Sequence, residues 1–249
     1  MTSPIRSSRL YRLANPADTG SPLPRATPPR LKSTVDSVEG ERCQLCAQAI
    51  PIGHRHLLDL TERRLRCACR ACCVLFDRAT AGGQRYRLVP DRRWYLPDFM
   101  LDDVIWVGLG LPVEMAFFFH DNRAGRVVAF YPSPAGAVES LLDLASWREL
   151  ALANPVLDSL QPDIEALLVN RAQGARDHWL VPIDDCYALA GLIRTHWSGL
   201  TGGTRVRDEL AAFFATLHDR ARTVRARRPD QTDTANTANT ANTVEGSKA

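Results

Sequence analysis

Six of the seven cysteines lie between Cys43 and Cys73, and the same stretch contains His54 and His56. Thiolate and imidazole groups are the ligands that proteins use for zinc, copper and iron. The N-terminus lacks the apolar segment of a signal peptide, so we expect a cytosolic protein. In that compartment clustered cysteines serve as metal ligands or redox groups more often than as structural disulfides.

Two CxxC pairs are the strongest motif in this stretch. Cys43 and Cys46 form the first pair, and Cys69 and Cys72 form the second about twenty residues later. This spacing is typical of treble or ribbon zinc sites, in which two turns each supply two thiolates to one tetrahedral ion. We therefore predict that these four cysteines hold a metal ion in a zinc-ribbon-like module.

The remaining ligands allow alternatives to this set. If the chain before Cys69 is extended, Cys67 points to the same side and could replace it as a ligand. His54 and His56 share one side of a local strand and are either nitrogen ligands or hydrogen-bonding neighbours of the site. Cys67 and Cys73 are either small buried residues or members of a redox or second metal site.

Zinc is the predicted metal, and iron is the alternative. Four thiolates also hold the single iron of rubredoxins, which are usually acidic and pack aromatic residues around the metal. Residues 43–93 contain ten Lys and Arg against four Asp and Glu, and Phe76 and Tyr86 are the aromatic residues nearest in sequence. The spacing also differs from that of common ferredoxins.

The chain divides into four segments by composition. Residues 1–40 are rich in Pro, Ser, Thr and Arg, and residues 223–249 contain the repeat TANTANTANT, so both are predicted to be disordered. Residues 41–93 form the cysteine-rich module. Residues 94–222 form an α+β body.

The body contains an internal repeat. Val113–Trp147 and Ile164–Trp197 each show an apolar strand, a polar loop with glycine, a second apolar strand, a proline and a helical pattern. Two such units predict a largely antiparallel sheet of four strands, built from two ββα units with helices on one face.

Helix boundaries follow from capping residues. Ser133 and Pro134 suit the N-cap and the first position of a helix. Free N–H groups at that helix start would make a weak anion-binding turn at Ser133 and Gly136. The alternative is a capped turn that binds nothing. Asp184 is the predicted cap of the second helix. Thr204 is the predicted cap of a third, amphipathic helix.

Charge is unevenly distributed between the two folded segments. Residues 94–219 contain 17 Asp and Glu against eight Lys and Arg, so an acidic body follows a basic module. The two segments either attract each other or face different partners. No apolar run is long enough for a membrane span. No group of residues with the types and spacing of a catalytic site stands out, so we expect a non-catalytic protein.

Several strings together resemble one protein family. HRHLLDL and RCACRACCVLF in the module, with YPSPAGAVESLL, PDIEALLVNR and VPIDDCYALAGLIR in the body, are similar to an uncharacterised bacterial family that is defined only as a domain of unknown function. The resemblance covers about residues 41–217. Members are typically encoded beside actinobacterial-type, high-affinity uptake [NiFe]-hydrogenases, which implies a hydrogenase accessory protein. The resemblance implies no catalytic residues.

Three functional hypotheses remain at this point. The preferred one is a zinc-bound accessory protein that acts through contacts with a hydrogenase subunit or maturation factor. The second is a rubredoxin-like iron electron carrier or redox-protective protein. The third is a zinc-ribbon protein that binds nucleic acid through RRLRCACR, although the acidic body and the shortage of aromatic residues in the module argue against nucleic acid as a partner.

Overall fold

The computed structural model describes residues 41–77, 85–199 and 202–225. The predicted disordered leader, and the predicted tail beyond residue 225, lie outside these ranges. No helix within them is long and apolar enough to cross a membrane.

The N-terminal part is a small antiparallel sheet with one helix. Strands β1 (Arg55–Asp59), β2 (Arg64–Ala68) and β3 (Tyr86–Leu88) pair in the order β2-β1-β3, and helix α1 (Arg70–Phe76) follows β2. Successive residues of β1 pack into two different cores, because side chains alternate between the two faces of a strand. Leu57 packs among the cysteines, whereas Leu58 joins the core of the body.

The body is built on a seven-stranded sheet. Its strands are β4 (Trp94–Tyr95), β5 (Met115–Asp121), β6 (Arg126–Ser133), β7 (Gly136–Ser140), β8 (Glu165–Asn170), β9 (Asp177–Pro182) and β10 (Arg222–Thr223). They pair in the order β10-β4-β9-β8-β5-β6-β7, and all pairs are antiparallel except β10 with β4. Its helices are α2 (Asp103–Gly108), α3 (Leu144–Ala153), α4 (Ile183–His196) and α5 (Gly203–Arg220). The predicted α+β class and the cysteine-rich module before a largely antiparallel sheet are confirmed.

Helices cover both faces of this sheet, so the prediction that they lie on one face was wrong. Phe117 and Phe119 face the core that contains Leu189 of α4, whereas Phe118 faces the core that contains Trp147 of α3. Both faces are apolar because β5 is a continuous apolar run rather than an alternating strand. The two repeat units have similar sequence patterns, but their helices α3 and α4 lie on opposite faces of the sheet.

The predicted helix start at Ser133 and Pro134 was also wrong. The chain there forms a tight turn between β6 and β7: Ser133 Oγ accepts a hydrogen bond from Ala135 N at 3.1 Å and donates one to Gly136 O at 2.9 Å. Serine, then proline, with glycine in the fourth position is also the preference of a type I β-turn. No helix starts at Ser133, because α3 begins only after Asp143. The predicted anion-binding turn at Ser133 and Gly136 depended on that helix start.

The other two helices lie where their apolar patterns predicted. Helix α5 begins next to Gly202 rather than with a Thr204 cap, and Val206 and Leu217 are buried on its apolar side. Asp184 lies in the first turn of α4 and does not cap it. Its carboxylate instead approaches Nδ1 of His56 at 2.8 Å and so connects the body to the module.

Charge attraction docks the basic module on the acidic body. The guanidinium of Arg63 donates to Asp121 at 3.0 and 3.2 Å and to Asp163 at 3.2 Å, and no more than 9 % of any of these side chains is exposed. Arg92 pairs with Glu165, and Arg93 donates to both carboxylate oxygens of its partner Asp185 at 2.6 and 2.8 Å. The module and the body are therefore joined through buried and half-buried ion pairs.

Replacement of Arg63 by Ala should lower the free energy of unfolding by about 3–5 kcal/mol, because Asp121 and Asp163 would remain buried without their cation. Equilibrium urea unfolding measures the change. The matched control is Arg123→Ala, an exposed residue of the β5–β6 turn, for which we expect a change within about 0.5 kcal/mol. A loss below about 1 kcal/mol for Arg63→Ala would contradict the role of this ion-pair cluster.

Candidate metal centre

The first cysteine pair lies in a tight turn before β1. Cys43 N donates to Gln48 O at 2.8 Å, and Ala47 N donates to Cys43 O at 2.8 Å. Ala47 has a positive φ of 62°, which allows the chain to reverse within a few residues. Gln44 then ties the turn to the end of β2, because its N–H donates to Cys67 O at 2.8 Å and its Oε1 accepts from Cys67 N at 2.9 Å.

The second pair lies at the start of α1 rather than on a second hairpin arm. Cys69 is the N-cap residue with extended φ and ψ, and its sulfur accepts a hydrogen bond from Cys72 N at 3.5 Å. A helix turn brings residues three apart to one face, so the side chain of Cys72 lies beside that of Cys69. The local order is thus a tight turn, a hairpin and a helix, which corresponds to the treble rather than the ribbon arrangement.

The two pairs converge. The sulfur atoms of Cys43, Cys46, Cys69 and Cys72 all lie within 4.8 Å of one another, and those of Cys46 and Cys69 are 3.7 Å apart. Three of these cysteines are buried and Cys46 is exposed. Zinc–sulfur bonds are about 2.3 Å long, so four tetrahedral ligand sulfurs lie at about 3.8 Å from one another. The group therefore has the size and donor set of a tetrahedral metal centre.

The electrostatics of the four thiols favour a bound cation. Burial raises the pKa of Cys43, but backbone N–H groups of Cys69, Leu45 and Cys46 point at its sulfur, and the net result is a pKa of about 6. Burial and the neighbouring thiols raise the pKa of Cys72. One thiolate thus forms readily while the next is opposed by its neighbours, and a divalent ion would offset this repulsion.

The alternative ligands divide into two groups. Cys67 does not enter the four-cysteine group; with His54 and His56 it forms a second group whose ligand atoms also lie within 4.8 Å of one another. Cys73 is buried beside the first group, and its sulfur is 3.9 Å from the carbonyl oxygen of Ala68. The roles of these four residues as alternative metal or redox groups remain predictions.

Asp184 contacts His56 of the second group, which its local sequence did not predict. This residue is 128 positions from His56, and its neighbours in sequence suggested a helix cap. Cys186, two residues after Asp184 and the one cysteine outside the module, is fully buried in the core of the body, and burial raises its pKa well above the ordinary thiol value. No sequence signal links Asp184 to a histidine so far away, because only the docking of the module on the body brings them together.

Comparison with known proteins identifies a family. The model of a family of unknown function (DUF5947) matches residues 42–221, and the chain therefore belongs to this family. None of the curated proteins matches the chain significantly. The solved structures likewise contain no significant match.

Replacement of Cys46 by Ser should release the ion of the four-cysteine centre and unfold the N-terminal module, because only three thiolates would remain to hold the ion. Cys46 is exposed, so the change itself leaves no cavity. Elemental analysis measures the metal, and limited proteolysis reports on the fold of the module. Cys186→Ala is the control and should retain the full metal content. Unchanged metal content in Cys46→Ser would contradict the four-cysteine centre.

Proposed function

We propose that this member of the DUF5947 family is a zinc-binding, non-catalytic accessory protein of the cytosol that acts through contacts with another protein. One observation carries this proposal: four cysteine sulfurs from two separate turns converge within 4.8 Å. A closed set of four thiolates leaves no position for a substrate, as in structural zinc sites. The ion would hold the cysteine-rich module in its folded form.

The size of the module supports a structural role for the ion. Its own core consists mainly of cysteines, with Ile50, Leu57 and Ala68 as the other fully buried residues. Structural zinc supplies about 10–16 kcal/mol of apparent binding free energy, whereas whole domains are stable by about 5–15 kcal/mol. Metal binding would therefore outweigh the apolar contacts of this small core.

Zinc is favoured over iron by the surroundings of the four sulfurs. Phe76 and Tyr86 are the aromatic side chains packed against this cluster, and their rings lie edge to face at 5.5 Å. A rubredoxin-like site would have more aromatic neighbours and a tight turn at each cysteine pair, whereas here the second pair begins a helix. An iron electron carrier is the second candidate function, and the exposure of Cys46 is the observation that favours it.

Ion pairing within the molecule weakens the case for nucleic-acid binding. Within the RRLRCACR string, Arg63 is buried against two aspartates, and Arg66 pairs with Glu62. Arg92 and Arg93, which also belong to the basic module, pair with carboxylates of the body. A guanidinium already bound to a carboxylate contributes less to phosphate binding.

An apolar surface on α2 and α3 supports binding to a protein partner. Val104 and Val107 of α2 are 81 % and 76 % exposed, and Leu141 and Leu152, beside and within α3, are 90 % and 84 % exposed. The two helices adjoin each other, since a Cβ on Gly108 would lie 2.8 Å from Ser146 Oγ. Large exposed apolar patches mark interaction sites, and these four residues are the candidates for one. We name these four residues the α2–α3 surface.

The proposed partner is a subunit or maturation intermediate of a [NiFe]-hydrogenase. The support for it is the resemblance to a family whose members are typically encoded beside such enzymes. A partner with an apolar docking face would suit the α2–α3 surface, and the zinc-bound module would provide a rigid platform next to it.

The identity of the metal tests the first part of the proposal. The full chain, purified after expression without added metal, should be colourless and contain zinc, because Zn²⁺ has a filled d shell and no visible transitions. Elemental analysis and the visible spectrum are the measurements, with Cys46→Ser as the variant that lacks the centre. A red protein that contains iron in the four-cysteine centre would contradict this function and support the electron carrier.

The contact with a partner is tested on the α2–α3 surface. The double variant Val104→Glu and Val107→Glu should reduce co-purification with the hydrogenase subunits of a co-expressing host at least tenfold, because charges would be buried in an apolar interface. Ile52→Glu is the matched control, since Ile52 is 98 % exposed but belongs to the cysteine-rich module. Loss of capture in Ile52→Glu alone would contradict this surface, and absence of capture with the native chain would contradict the hydrogenase partner.

A further inference from the structure

Three side chains next to the four-cysteine centre form a second group of potential metal ligands. His56 on β1 pairs directly with Cys67 on β2, and His54 lies two residues before His56. Directly paired residues of antiparallel strands, and residues two apart along a strand, point to the same face of a sheet. Accordingly, one nitrogen of each histidine and the sulfur of Cys67 all lie within 4.8 Å of one another.

The hydrogen bonding of His54 leaves a buried nitrogen without a partner. Its Nδ1 lies 3.0 Å from the carbonyl oxygen of Pro51 and 3.1 Å from a carboxylate oxygen of Glu41. Both oxygens are acceptors, so Nδ1 carries the hydrogen and Nε2 carries a lone pair. The side chain is only 6 % exposed, and Nε2 is buried with no hydrogen-bond donor among the described residues.

A buried lone pair without a donor is uncommon in native proteins and costs free energy. A metal ion would satisfy it. Since His54 is one of the three residues of this group, the missing partner of its buried Nε2 is evidence for a ligand there, independent of the clustering itself.

The second histidine is oriented by the body. His56 Nδ1 lies 2.8 Å from Oδ2 of Asp184 in the first turn of α4. Metal-binding histidines commonly donate one ring N–H to a carboxylate or a carbonyl, which fixes the ring and makes the other nitrogen a better ligand. His54 and His56 both show this arrangement, with Pro51 O and Asp184 as the respective acceptors.

We infer that His54, His56 and Cys67 bind a second divalent ion of the first transition row, Zn²⁺ in the isolated protein, through the two Nε2 atoms and the thiolate. Three protein ligands leave one tetrahedral position for water or an external donor, in contrast to the closed centre beside it. The thiol proton of Cys67 is released to solvent when the ion binds.

The charges of the two centres are complementary. Zn²⁺ with four thiolates has a formal charge of −2, and Zn²⁺ with one thiolate and two neutral imidazoles has a formal charge of +1. Neighbouring charges of opposite sign attract. The second centre is not needed for the structural role of the first, so it goes beyond the proposed function.

Zinc stoichiometry of the full chain tests the inference. Equilibrium dialysis at a fixed free Zn²⁺ concentration, followed by elemental analysis, should give two equivalents for the native chain. Cys67→Ser and the more conservative His54→Gln should each give one equivalent, with an unchanged far-ultraviolet circular dichroism spectrum. Cys46→Ser should release both ions, because the module that it unfolds also carries the second site. One equivalent in the native chain and none in Cys46→Ser would mean that only the second site is wrong, whereas an unchanged metal content in Cys46→Ser would mean that the four-cysteine centre is wrong.

Substitution of Co²⁺ identifies which ion is lost. The cobalt bound at the second site should show weaker sulfur-to-metal charge transfer than the four-thiolate cobalt, because it has one sulfur ligand, and only this weaker contribution should vanish in Cys67→Ser. A native chain that saturates at one equivalent, or variants at Cys67 and His54 that keep two, would overturn the inference.

Asp184 is a positioning residue in this scheme. Asp184→Asn should weaken Zn²⁺ binding at the second site about 10–100-fold, as expected when a histidine loses its orienting carboxylate, and leave the affinity of the four-cysteine centre unchanged. A purely structural role of Asp184 would alter both affinities together or neither, and either result would contradict the scheme.

Discussion

Convergence of four sulfur atoms within 4.8 Å is the constraint on which the cysteine-rich module depends. Sulfurs at such distances repel one another once ionised, and the module has few large apolar residues to hold them together. A divalent ion would convert this repulsion into four bonds. It would hold the turn that contains Cys43, the β1–β2 hairpin and the start of α1 at one point, because each of them either carries the cysteines or connects the elements that carry them.

Electrostatic pairing determines how this module sits on the body. Arg63 at the end of the β1–β2 hairpin is buried against two aspartates, and Asp184 of α4 reaches His56 near the other end of β1. These contacts at both ends of one strand fix its orientation over the sheet, while Leu58 between them joins the core of the body. The positive charge of the module is thereby used largely within the molecule. The exposed apolar residues of α2 and α3 form the surface that we propose for a partner.

Local patterns predicted the elements of this protein well. The spacing of the two CxxC pairs predicted the four-cysteine group, since ligand type and turn geometry depend on a few neighbouring residues. The apolar periodicity of α5 and the strand patterns of both repeat units were also correct. The same local reasoning failed at Ser133 and Pro134, because these residues favour a helix start and a β-turn about equally, and the pairing of β6 with β7 decides between them.

By itself, the sequence determined the α+β class, the position of the cysteine-rich module and the four cysteines that cluster in it, because each of these depends on residue type and short spacing. The tertiary structure decided everything that depends on contacts between distant segments. It placed Cys67 with the two histidines through the register of β1 and β2, and it brought Asp184 to His56 across 128 residues. Helices α3 and α4 lie on opposite faces for the same reason, since β5 offers an apolar surface on either side and only packing selects which surface each helix covers.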